Sequence, residues 1–198
     1  IEIYSIKEKF PNIVLHAIDE HELGPTFSIM QIDIPEDESV VIHYCDFLTE
    51  FNHEQFVYLL NQNNIIAPYF SGFHPASLGT TNFAYMILDS INNLINLQEK
   101  KPFTNNRISE PASTGIYGFP SFSMFKNLAN KLFKEQDKWC LSEAYTSLLL
   151  NIAIDERLTV KCLKVEKFIC LGTPRDYREY LYWHNNFREI NKRTKANF

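Results

Sequence analysis

Short apolar runs rich in β-branched and aromatic residues alternate along this chain with segments whose apolar residues recur at helical spacing. That alternation confines it to a layered α/β architecture. Residues 12–19 read as one strand and residues 39–46 as another. The second is nearly continuous in apolar residues, the pattern of a strand buried on both faces at the centre of a sheet. Asn52, with Gln55 three residues on, opens a helix carrying Phe56, Leu59 and Leu60. Residues 65–67 and 83–88 read as strands flanking a loop, 71–79, of the length that functional loops have. A turn signal at 89–93 and a returning strand at 95–98 make a hairpin. After a strand at 114–119, Ser121 caps a helix with Phe122, Phe125, Ala129, Leu132 and Phe133 at helical spacing. Ser142 caps another with Tyr145, Leu148, Leu149 and Ile152 on one face. An alternating strand at 158–162 precedes a last helix opened by Thr173 and Pro174, with Asp176 in its first turn.

The 198 residues, 45% apolar, suit a single domain spanning 1–198 with a sizeable core. With 16 Phe and 10 Tyr the chain is not a disordered one. A net charge of −5 and scattered basic residues argue against nucleic acid as a partner. No apolar run approaches the ~20 residues of a membrane-spanning helix, so no membrane is expected either. Cys45, Cys140, Cys162 and Cys170 form no Cys-x-x-Cys pair and read as reduced core thiols of a cytoplasmic protein. The histidines show no zinc-ligand spacing. The six glycines include no Gly-x-Gly, which leaves the chain without a phosphate-cradling glycine loop.

Asp46 follows the apolar run 40–45 and should emerge at the carboxyl end of a central strand, where open α/β sheets bind their ligands. An acidic residue there suits Mg²⁺, although an aspartate capping the next turn has the same pattern. Glu99 and Lys100 close a strand with an acceptor beside a cation, a combination suited to a hydroxylated, phosphorylated ligand; a solvated strand end is the plainer reading. Arg175, Asp176 and Arg178 most simply form a solvated helix face. His74 is either a ligand contact or a loop histidine fixing its own backbone, and Glu143 needs another site residue opposite it to matter.

Tyr44-Cys-Asp46, Gly72-Phe-His-Pro75, Glu99-Lys100, Ser113-Thr-Gly-Ile-Tyr117, Glu143-x-Tyr145-x-Ser147 and Leu171-Gly-Thr-Pro-Arg-Asp-Tyr177 follow one another in that order. Together they resemble the nucleotidyltransferase family of sugar-1-phosphate and phosphocholine-type pyrophosphorylases, most closely members from bacterial capsule and surface-polysaccharide pathways. The resemblance implies a Rossmann-like three-layer sandwich with a mixed, mostly parallel central sheet. It also implies a reaction joining an NTP (CTP, UTP or dTTP) to a phosphorylated small-molecule acceptor, with release of pyrophosphate and Mg²⁺ as cofactor. In its terms Gly24, Pro25 and Thr26 belong to the loop that reads the nucleobase, and Asp46 binds both nucleotide and Mg²⁺. Glu99 bonds acceptor hydroxyls, Lys100 neutralises the acceptor phosphate, Gly115 allows close backbone approach, and Glu143 and His74 complete the acceptor side. Asp46 and Lys100 are the catalytic candidates, and a homo-oligomer is compatible with the family.

Two departures stand beside these matches. The family's opening Gly-x-Gly-x-Arg and Pro-Lys signature has no counterpart in residues 1–30, so its strand and loop are expected ahead of Ile1. Cys170 occupies the position of a second metal aspartate. Both departures keep open a non-catalytic, degenerate domain that binds a nucleotide-sugar or a partner subunit. A GT-A-type glycosyltransferase shares the strand-end aspartate, but Asp46 has no second aspartate two residues away.

Overall fold

The computed structural model describes residues 3–74 and 83–196, with side chains for 6–74 and 83–189. The helices are α1 (Ile3–Lys9), α2 (Pro25–Met30), α3 (His53–Asn61), α4 (Phe122–Lys134), α5 (Leu148–Asp155) and α6 (Pro174–Ala196). The strands are β1 (Val40–His43), β2 (Phe47–Glu50), β3 (Ile65–Phe70), β4 (Ala84–Leu88) and β5 (Leu94–Glu99), then β6 (Ala112–Ser113), β7 (Ile116–Phe119), β8 (Val160–Lys164) and β9 (Lys167–Cys170).

The layered α/β class holds, but the sheet is mostly antiparallel, not mostly parallel. Its path runs β1-β7-β3-β6-β4-β5, with β8 on the other side of β3, and β2 and β9 form a separate two-stranded sheet. Of the described pairings only β3 with β8 is parallel. Connection length accounts for the β4–β5 hairpin, because a tight turn returns the chain antiparallel. The other antiparallel pairs join strands far apart in sequence, whose direction is set by which neighbour each strand meets. Between β4 and β5 the chain turns on Asp89, whose carboxylate accepts the N–H groups of Ile91 and Asn93 at 2.9 and 2.7 Å. Between β3 and β8, by contrast, lie two strand-forming excursions and the helices α4 and α5.

The centre of the sheet is β3, all six of whose residues are buried. Its alternate residues serve two layers: Ile65, Ala67 and Tyr69 pack with α4 and α5, while Ile66 packs with Phe56 and Leu60 of α3. The expected central strand 39–46 is instead the edge strand β1, shorter and alternating in burial. Val41 stands 53% exposed there, because alternate residues point to opposite faces and only Val40 and Ile42 pack against the core. Residues 12–19 form no strand; Ile13, Val14, Leu15 and Ile18 lie exposed on an irregular path. An apolar run becomes a strand only where a neighbour completes its hydrogen bonds.

Local signals elsewhere decide the ends of elements. Asn52 accepts from the Gln55 N–H at 2.9 Å and Ser121 from the Met124 N–H at 3.2 Å, as read from the sequence. Thr173 and Asp176 cap α6 reciprocally through their backbone N–H groups, both at 3.1 Å. Ser142 does not cap α5, which begins six residues later, at Leu148. Ser142 sits instead at φ 65° beside Leu141 at φ 51°, so the backbone there is left-handed and cannot start a helix. The expected loop 71–79 is described to His74; its remaining residues lie outside the described ones. Cysteines depart from expectation too. All four are free, but only Cys162 is a buried core thiol, and Cys45 is exposed. Among the described residues no helix is long and apolar enough to cross a membrane.

Candidate functional site

Pro68 sits inside the central strand, where a residue without an N–H breaks a ladder. Opposite it the ladder does break. From Ile66↔Gly118 to Tyr69↔Ser113, β3 advances three residues while the other strand advances five, so Thr114 and Gly115 bulge out. Thr114 turns its N–H to the Pro68 carbonyl at 3.1 Å. Gly115 takes φ +90°, and a Cβ there would lie 3.2 Å from the rings of Phe47 and Tyr44. The bulge pushes backbone into a cavity of about 310 Å³.

That cavity gathers residues far apart in sequence: Asp46, Glu99, Lys100 and Gly115, with Tyr117, Tyr145, Ser147, Cys170, Gly172 and Asp176. Adjacent residues of a strand point to opposite faces, yet Glu99 and Lys100 both line it. Lys100 lies just past β5 with φ 57°, and this left-handed step ends the alternation. Further back, Asn151 of α5 clamps β5 by accepting the Leu97 N–H at 3.0 Å and donating to the Leu97 carbonyl at 2.8 Å.

Burial pushes the Glu99 carboxyl above its usual range, opposed by a hydrogen bond from the Ser147 hydroxyl and by the Lys100 charge. Lys100 behaves oppositely. Desolvation pulls its ammonium down, but a hydrogen bond to the Tyr145 hydroxyl and the Tyr145 and Glu99 charges carry it upward on balance. Its Nζ also stands 4.1 Å from the Tyr145 ring centroid. Burial pushes the Tyr44 phenol up to about 12 and the Tyr117 phenol well up, so both remain protonated donors. The Tyr44 hydroxyl lies 3.3 Å from Thr146 Oγ1, and Ser113 donates to the Tyr117 hydroxyl at 2.9 Å.

The other end of the cavity is open. Asp46 lies exposed in the turn from β1 to β2, not at the end of a central strand, and its backbone carbonyl accepts the Leu171 N–H at 2.7 Å. A Cβ at residue 172 would lie 2.9 Å from Asp46 Oδ2, so only glycine leaves that flank of the carboxylate clear. Cys170 faces the same space. Burial raises its thiol, partly countered by the Gly172 N–H, and Sγ lies 3.8 Å from Asp176 Oδ2. Asp176 already accepts from the Thr173 hydroxyl at 2.7 Å. Among the described residues no three His, Cys, Asp or Glu side chains are grouped to hold a metal ion by themselves.

The remaining candidates fall elsewhere. Gly24, Pro25 and Glu143 line a second, more open cavity of about 680 Å³ with His21 and Ser28. Gly24 has φ +90° and its missing Cβ would meet the Ala144 nitrogen at 2.8 Å, so glycine lets this loop lie against the 143–147 segment. Thr26 is fully buried and lines neither cavity. His74 is buried behind the first cavity; its Nε2 accepts the Cys170 N–H at 3.3 Å and its ring packs against Phe70 and Phe168. Sequence reasoning missed Phe47, Phe83 and Phe168 as cavity walls, since isolated aromatic residues read as core.

No protein-family model matches the chain, and a search of curated proteins finds no match. Solved structures do match in fold. A nucleoside-diphosphate-sugar pyrophosphorylase from Vibrio cholerae RC9 superposes with a TM-score of 0.60 at 18% identity, over 79% of this chain and 60% of that one. An inositol-1-phosphate CTP transferase from T. maritima does so with a TM-score of 0.50 at 14% identity, over 78% of this chain and 58% of that one. The chain thus spans about three-fifths of the length of either structure.

Proposed function

We propose that this chain carries the acceptor half and the metal aspartate of a nucleotidyltransferase that joins an NTP to a phosphorylated small molecule and releases pyrophosphate. One observation carries the reading: Asp46, Glu99, Lys100 and Gly115, from four separate segments, converge on one cavity of a fold shared with a pyrophosphorylase and a CTP transferase. In the reaction an acceptor phosphate oxygen attacks the α-phosphorus of the NTP, a new P–O bond forms, and the bond to the β-phosphate breaks. Such a transfer requires little covalent help and depends on positioning and on charge beside the phosphates.

Lys100 supplies that charge. Its ammonium, held by Tyr145, would neutralise the acceptor phosphate and lower the repulsion between two anions. Glu99, oriented by Ser147, would accept a hydrogen bond from the acceptor's far side. Gly115 lets the acceptor approach backbone. Asp46, with its flank left clear by Gly172, suits a hydrated Mg²⁺ shared with nucleotide phosphates, which needs one or two carboxylates and no closed protein cage. Bound there, Mg²⁺ would offset phosphate charge. The nucleobase would lie by the second cavity, at Gly24 and Pro25. In keeping with the sequence resemblance we assign CTP, UTP or dTTP as donor, surface-polysaccharide synthesis as the role and the cytoplasm as the location.

The test is pyrophosphate release by the intact protein with each NTP and a panel of phosphorylated acceptors. Release that depends on Mg²⁺ and on Asp46 is the expected result; none with any pair would overturn the assignment. A second reading, a non-catalytic domain that binds a nucleotide-sugar, is favoured by one observation: a thiol, Cys170, faces Asp46 where a second carboxylate would serve a metal better. Tight nucleotide-sugar binding without turnover would select it.

A further inference from the structure

One long helix is almost uncovered. α6 packs against β9 where Asp176 meets Cys170 and then leaves the body: every residue from 182 to 189 is exposed. Tyr182, Trp183 and Phe187 are among them, each more than half exposed. A helix that buries no face gains nothing from packing, and an isolated helix in water is marginal even when its residues favour it. By contrast α4 buries Phe122, Phe125, Leu128, Ala129 and Leu132. The spacing along α6 points to what covers it. Tyr180, Trp183 and Phe187 lie three and four residues apart, which on an α-helix places them within an arc of roughly 60°. Trp183 and Phe187 stack there at 5.9 Å, with their planes 27° apart. The opposite face carries Arg178, Asn185 and Glu189. A lipid surface calls for a broad apolar face, whereas a stripe this narrow is the seam by which one helix packs on another.

Charge sets the direction of that packing. Residues 1–173 hold 21 acidic against 13 basic residues, and no Lys or Arg occurs from 10 to 99. Past Phe187 the balance reverses, with four Lys or Arg against one Glu. Two copies of α6 running in the same direction would bring their basic ends together. Paired antiparallel across a two-fold axis, each basic end runs toward its partner's acidic body instead. The same arrangement sets Trp183 of one copy against Phe187 of the other, twice over.

We propose that α6 is a dimerisation helix, pairing antiparallel with α6 of a second copy of this chain through Tyr180, Trp183 and Phe187. Thr173 and Asp176, at its start, line the first cavity, so the interface begins at the rim of the candidate site. The pairing holds whatever reaction that cavity performs. Sedimentation of the intact protein over a micromolar concentration series tests it. Trp183 emission is the local readout, in a Trp139→Phe background that removes the chain's other tryptophan. The expected result is a mass twice that of the chain, falling to one on dilution while Trp183 emission moves to the red as the ring meets water. Trp183→Lys and Phe187→Glu should each be monomeric at concentrations where wild type is dimeric. An equimolar mixture of the two should recover the dimer, because antiparallel pairing restores one Trp183–Phe187 contact and sets the introduced lysine opposite the introduced glutamate. Both side chains are exposed in a single copy, so neither substitution removes core packing. Circular dichroism identifies a variant that fails to fold, and the wild-type dilution series decides without it. A wild-type monomer throughout, a dimer that persists in both variants, or a mixture that stays monomeric overturns the proposal. A dimer whose dilution leaves Trp183 emission unchanged has its interface elsewhere and overturns it too. So does a monomer whose Trp183 emission shifts only with vesicles of anionic phospholipid, which would assign the helix to a membrane surface.

Discussion

At one end of the cavity Glu99 and Lys100 are held from behind, Glu99 by Ser147, Lys100 by Tyr145, and their strand by the Asn151 clamp. At the other end Asp46 stands exposed in a turn, beside a glycine that leaves room and a thiol that contributes little charge. The first end is pre-organised and has the dryness to discriminate among small ligands. On the proposed reading, the second is left for a nucleotide and its metal to complete. Preorganisation costs stability where polar groups are buried, so the two ends should answer mutation differently.

The largest effect should come at the open end. Asp46→Asn is expected to lower pyrophosphate release by about 10²–10³-fold, the range for loss of one electrostatic contact to transferring groups, with the melting temperature nearly unchanged. Unaltered turnover would reduce Asp46 to a turn-forming residue. At the built end, Gly115→Val should cost both fold and function. A β-branched residue at φ +90° is strained by roughly 1–3 kcal/mol, and its Cβ would press on Phe47 and Tyr44 at 3.2 Å. A chemical denaturation midpoint equal to wild type would show that the bulge relaxes freely. Asn151→Ala should weaken stability by about 1–2 kcal/mol through the unpaired Leu97 groups and loosen acceptor binding through Glu99, with nucleotide affinity unchanged.

Glu99→Gln sharpens the contrast by pH. A carboxyl raised above its ordinary range favours folding while both states are protonated, and that advantage is lost as pH rises from the ordinary carboxyl value toward the raised one. The variant should therefore match wild type near pH 4 and melt higher than wild type near pH 7, while its affinity for the phosphorylated acceptor falls. A difference in melting temperature that does not change with pH would contradict the buried carboxyl. The smallest effect is expected far from both ends. Lys167→Ala breaks an ion pair with Glu50 at 2.7 Å whose partners are both more than half exposed, and stability should move by less than about 1 kcal/mol.

Much of the fold was legible in the chain because it is encoded locally. Asn52 and Ser121 cap the helices they precede, Asp89 turns the hairpin it opens, and Thr173 with Asp176 starts α6, each through bonds that span a few residues. Asp46, Glu99, Lys100 and Gly115 were legible as site candidates too, and they share a cavity. What misled was apolarity without partners. Residues 12–19 and 39–46 have similar apolar content, yet the first pairs with nothing described and the second is an edge.

Strand direction, the start of α5 and the position of His74 were decided only when distant segments met. The antiparallel order depends on which strand finds which neighbour, α5 is delayed until Ser147 by left-handed backbone at Leu141 and Ser142, and His74 is drawn under Cys170. Local hydrogen bonds can be read from neighbouring letters, because both partners lie within a turn of each other. Tyr145 holds Lys100 from 45 residues on, Ser147 holds Glu99 from 48 residues on, and Pro68 shapes the bulge through Thr114, 46 residues on, so the chemistry-bearing residue types were present in the sequence but their convergence belonged to the tertiary structure.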